Sequence, residues 1–135
     1  MESGLLHLHN FLRWIILLFL LIAIVQSLGK KTGLQKTSLW LLIAAHFTLL
    51  IGLYQYFTSA VGYKLIQANG FGIVMKDSIM RFWAVEHITG MLIAIILITI
   101  ARGKAKRGGY PAALYILALI IILAVVPWPF RELGI

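Results

Sequence analysis

Cysteine is absent from this chain. That excludes disulfides, thiolate-bound metals, iron–sulfur clusters and cysteine nucleophiles. Acidic residues are scarce as well: four Asp and Glu stand against twelve Lys and Arg. Charged residues of both signs make up only 12% of the 135 residues, too few for a soluble domain of this length. No nucleotide-binding motif occurs, and no polar stretch is long enough for a separate catalytic domain. What fills the chain is apolar: 61% of its residues are hydrophobic and the mean hydropathy is +0.97. This is the composition of an integral membrane protein, with room for about four spans of roughly 20 residues and one domain, 1–135.

The net charge of +8 would suit a nucleic-acid binder, but the positions of the cations argue against one. They gather in short connections between apolar runs, which is a topology signal. The first run is preceded by Glu2, His7 and His9 rather than by a basic stretch, so no cleavable leader is expected. The apolar runs fall at about 8–28, 38–57, 80–101 and 110–128. Trp40 marks one membrane interface, and Tyr54, Tyr56 and Phe57 mark the other. Pro111 suits a first helical turn, and Pro127 with Pro129 ends the last run. Asp77 or Ser78 is expected to cap the third span. The connection 58–79 carries Asn69-Gly70 between YKLIQ and GIVMK, which suits a short β-hairpin or a loop on the membrane surface.

Lys30, Lys31 and Lys36 occupy the first connection, and Arg102, Lys104, Lys106 and Arg107 the third. These two connections are therefore expected in the cytoplasm, with both termini and loop 58–79 outside. The sequence thus predicts an all-α integral membrane protein: an antiparallel, up-and-down four-helix transmembrane bundle. All four acids, with His7, His9 and His87, then fall on the outer half.

The third span, RFWAVEHITGMLIAIILITIAR, is the most informative. Glu86 and His87 lie inside it, about 8 to 9 Å along the axis from Arg81. Ionisable groups at such a depth face the bundle interior and find a partner. His46 lies near the middle of the second span, roughly 3 to 7 Å from His87 in depth. Two histidines on different helices can ligate one iron axially, so His46 and His87 are the expected ligands of a haem b. Gly90 and Ala94 share the face of His87 and would leave room for a macrocycle. As a small-xxx-small pair they equally suit close helix packing. Arg13, Arg81 and Arg131 are candidates to pair with propionates, or to snorkel to headgroups. Arg13 and Glu86 are expected to face each other in the interior, directly or through a bound anionic group such as a propionate. An alternative is a non-haem site for zinc, copper or iron, or a metal-dependent enzyme, built from His46, His87, His9, His7 and Glu86. No tight spacing such as HExxH supports it. A third reading is an accessory subunit, without cofactor, that binds lipid or a larger partner.

LLHLHNFLRW, AHFTLLIGLYQYF, RFWAVEHITGMLIAIILITIARGKAKR and the terminal PWPF-Arg resemble a group of small four-span bacterial membrane proteins labelled cytochrome B. The resemblance covers nearly the whole chain. It implies haem b and electron transfer, carried onto His46 and His87 with His9 or His7 as substitutes. A quinone or a redox partner protein is the expected electron exchanger, within the bilayer and in a chain free to form oligomers.

Overall fold

A computed structural model describes residues 3–128. Four helices form the body: α1 (Ser3–Leu28), α2 (Leu34–Thr58), α6 (His87–Lys106) and α7 (Ala112–Val125). Between α2 and α6 lie three short helices, α3 (Tyr63–Asn69), α4 (Phe71–Lys76) and α5 (Ser78–Arg81), then a π-helical turn over Phe82–Glu86. Among the described residues there is no strand.

Three helical stretches are long and apolar enough to cross a membrane, within α1, α2 and α5–α6. The fourth, α7, has 14 residues and rises only about 21 Å. Each long helix is apolar on every side. Leu18, Leu21 and Val25 of α1 are more than half exposed, as expected where lipid is the solvent.

The helices pack in a ring in which α1 touches α2 and α7, and α6 touches α2 and α7. Residues three or four apart supply the core: Ile16, Leu20 and Ala23 on α1, Leu41 and Ala45 on α2, Ala94, Ile98 and Ala101 on α6, Ala118 and Ile122 on α7. Gly90 settles how closely α6 and α7 approach. A Cβ there would overlap the side chain of Val125. Small residues do at this seam what the hydrophobic effect cannot do in lipid, letting backbones come close enough for dispersion contacts.

One end of the bundle is clasped by polar groups. The Arg102 guanidinium donates to the Gln35 carbonyl at 2.8 Å and to the Ser38 hydroxyl at 2.9 Å. The Gln35 side-chain amide donates to the Ala105 carbonyl. Lys104 and Lys106 lie in the last turn of α6, where cations complement the helix dipole. Gly108, at φ +88°, then reverses the chain.

The hairpin expected at Asn69-Gly70 does not form. Gly70 has φ +84° and its N–H donates to the Ile66 carbonyl at 2.8 Å, so it ends α3, and α4 starts at the next residue. Both structures use glycine's left-handed conformation. The helices win because their backbone bonds close locally, whereas an isolated two-stranded hairpin is marginal. Of the two expected caps, Asp77 is the one used: its carboxylate accepts from the Ile79 and Met80 N–H groups at 3.0 and 2.9 Å.

Candidate functional site

A cavity of about 180 Å³ lies between α1, α2, the π turn and α6. Leu49, Leu53, Ile88 and Met91 give it apolar walls, and His9, Arg13, Gln55 and His87 its polar ones. A second void of about 20 Å³ borders the same histidines and reaches Ile122 and Val126 of α7.

His87 enters the interior directly after the π turn. Its Nδ1 lies 2.7 Å from the Val125 carbonyl. A carbonyl only accepts, so in the neutral ring Nδ1 carries the proton and Nε2 keeps its lone pair. Opposite stands His9, with ring centroids 6.4 Å apart and the planes inclined by 57°. α1 starts at Ser3, so His9 sits well inside a helix. Gly52 of α2 presents bare backbone to it: a Cβ there would be 3.6 Å from His9 Nε2.

His46 does not join this pair. It is exposed, beside Ile43, Phe47 and Leu50, and its Nδ1 lies 3.0 Å from the Leu42 carbonyl of its own helix. The buried stripe of α2 runs through Leu41, Ala45 and Thr48 instead. The expected His46–His87 pairing is therefore replaced by His9–His87. His7 is also exposed.

Arg13 and Glu86 do not meet either. Glu86 pairs with Arg81, Nε to Oε2 at 2.7 Å, and Arg81 also donates to the Met75 carbonyl at 2.9 Å. The π turn brings residues five apart onto one face, so Glu86 finds its cation within its own segment. Arg81 is thereby committed. The Arg13 guanidinium carbon lies 5.3 Å from the Trp14 ring centre and 5.6 Å from that of Trp128, a cation–π arrangement. Its Nε is buried and, among the described residues, has no hydrogen-bond partner. The same holds for the Gln55 Nε2. Two residues of the cavity lining thus carry buried donors that lack acceptors, at a cost of about 1–3 kcal/mol each if left so.

Gly90 and Ala94 serve packing and do not line the cavity. Arg131 lies outside the described residues. Among the described residues, no group of three or more His, Asp or Glu could hold a metal ion, so the expected set of His46, His87, His9, His7 and Glu86 does not assemble. Reading the sequence missed Gly52, Gln55 and Tyr56. The only signal for them was their spacing along one face with Thr48, and that face was not distinguishable in a helix apolar all round.

Chemically, the site offers a mostly apolar space with an imidazole lone pair among its lining residues and, buried within that lining, N–H donors without acceptors. Compared with known protein families, with curated proteins and with solved structures, the chain finds no match.

Proposed function

We propose that this chain is an electron-transfer protein of the bacterial inner membrane and that its cavity holds the ring of a bilayer quinone. The chain would run as an antiparallel up-and-down bundle of four spans, with the Lys- and Arg-rich connections in the cytoplasm and both termini outside. The observation that carries the reading is the cavity itself: about 180 Å³, mostly apolar, with the buried Arg13 Nε and Gln55 Nε2 lacking acceptors. A cavity of about 150 Å³ can hold benzene, so this space suits one substituted six-membered ring. A quinone ring carries two acceptor oxygens, which is what those donors need. In the quinol form a hydroxyl has the His87 Nε2 lone pair to donate to. The apolar tail has the exposed leucines and isoleucines of the helices, and the lipid beyond, to lie against.

Haem b, implied by the resemblance, is the second reading, and the imidazole spacing favours it. Two metal–nitrogen bonds of about 2.0–2.1 Å and the ring radii put centroids roughly 6 Å apart, against 6.4 Å for His9 and His87. The space does not favour it. A macrocycle centred between the imidazoles extends to both sides, and towards α7 only about 20 Å³ is open. Val125 closes that side, with its carbonyl on His87 and its side chain against Gly90. In this arrangement haem does not fit.

Purified protein decides between them. Solvent extraction should yield stoichiometric quinone, and a short-tailed benzoquinone added to the stripped protein should quench tryptophan fluorescence saturably, Trp83 being on the cavity wall. An oxidised or reduced spectrum with Soret and α bands that His9→Ala abolishes would replace quinone by haem. Metal without porphyrin in elemental analysis would favour the non-haem reading. Absence of all three would leave the cofactor-free accessory subunit.

A further inference from the structure

The sequence FWAVE contains no glycine or proline, yet it winds as a π turn directly before His87. The His87 N–H reaches back to the Phe82 carbonyl, five residues away. Such a turn acts as one residue inserted into an α-helix and rotates the helix before it by about 100° relative to the helix after it. Which way His87 faces is therefore set by whether this turn stays open.

Two contacts hold it. From outside, Arg81 and Glu86 close a pair across it. An α-helix brings together residues three or four apart; a pair five apart fits the π geometry. From inside, the Tyr56 hydroxyl of α2 donates to the Ala84 carbonyl, in the middle of the turn, at 2.7 Å. Ala84 is buried, so no lipid or water replaces that donor. A buried carbonyl within an irregular turn is held in place by such a donor.

We propose that Tyr56 is a positioning residue: by taking the Ala84 carbonyl it keeps the π turn open, and so keeps His87 turned between the cavity and Val125. For its effect on the ligand the inference rests on the quinone reading; for the orientation of His87 it does not.

The test compares Tyr56→Phe with Tyr63→Phe in the full chain in detergent micelles. Tyr63 packs on Phe57 away from the cavity. In ¹⁵N-histidine NMR, the His87 Nδ1 proton bonded to a carbonyl should give a distinct signal. Tyr56→Phe should shift or remove it and leave the His46 signal in place; Tyr63→Phe should move neither. Binding of a short-tailed benzoquinone should weaken about tenfold in Tyr56→Phe, the scale of one buried hydrogen bond. Should Tyr56→Phe not fold, Glu86→Ala removes the outer clasp without touching the cavity and should displace the same His87 signal. An unchanged His87 signal in the variant that folds overturns the proposal, even if quinone binding falls. A displaced His87 signal in a protein that binds no quinone supports the positioning role and sinks the quinone reading alone.

Discussion

Substituting Gly90 by alanine tests the link between helix packing and the site. The new methyl would sit 3.0 Å from Val125 Cγ2 and 3.1 Å from its Cβ, with Cγ1 closer still. Contacts that short force something to move. Val125 is branched and stiff at χ1, so α7 must shift rather than a flexible tip. Overpacking of this kind costs about 1–3 kcal/mol. Alanine returns about 1 kcal/mol of helix propensity, so the net loss should be about 1 kcal/mol. The decisive measurement is a double-mutant cycle with Val125→Ala, which removes both γ-methyls and the clash with them. Thermal unfolding of the four proteins in one detergent should give a coupling of about 2 kcal/mol, the whole of the overpacking cost because the propensity gain cancels in the cycle, favouring the double variant over the sum of the singles. The Val125 backbone also accepts from His87, so Gly90→Ala should loosen ligand binding as well, and Val125→Ala should restore it. Effects that add within about 0.5 kcal/mol would refute the close approach of α6 and α7, and with it the closed wall that argues against a macrocycle.

His46→Ala should leave stability within about 0.5 kcal/mol of wild type and the ligand in place, whereas His87→Ala, which removes the imidazole lone pair, should weaken its binding; extraction and fluorescence titration read both. Arg13→Leu should cost about 1–2 kcal/mol through its two tryptophan contacts and weaken an acceptor-bearing ligand further, as shown by thermal unfolding with and without quinone. Arg102→Leu should cost about 1.5–3 kcal/mol, the range for hydrogen bonds to a charged group, while Lys104→Leu, on the exposed side of the same turn, should cost almost nothing. Asp77→Ala should lower stability by about 0.5–2 kcal/mol through its lost cap, without altering ligand affinity.

The spans were legible because hydrocarbon thickness and backbone satisfaction leave few solutions for runs this apolar. A cap at Asp77 or Ser78 and the place of His87 within a long apolar helical stretch could be read from single residues in plain context. Facing was not legible. α2 is apolar on every side, so nothing in the pattern separates Leu41, Ala45 and Thr48, which point inward, from Ile43, His46 and Phe47, which point out. A soluble helix would have declared its face by polarity. The π turn hides for another reason: it adds one residue to a helix without a glycine or proline to announce it, and this moves Glu86 from Arg13 to Arg81. Asn69-Gly70 left a hairpin and a surface loop both open because one dipeptide serves both a hairpin and a helix end. The pairing of His9 with His87 depended on all of these at once.

The clasp of Arg102, Gln35 and Ser38 ties α2 to α6 at one end, which makes that end the point about which either helix would tilt. Gly52 lies 14 residues beyond Ser38, about 21 Å along the helix. At that radius a tilt of about 5° carries Gly52 roughly 2 Å sideways, most of the half-thickness of an aromatic ring, while the pivot itself hardly moves. On the quinone proposal, a swing of that size would admit the ring with little disturbance of the core between. Paired spin labels would record that swing as a narrow distance distribution across the clasped end and a broad one across the cavity end, narrowing once the guest is seated.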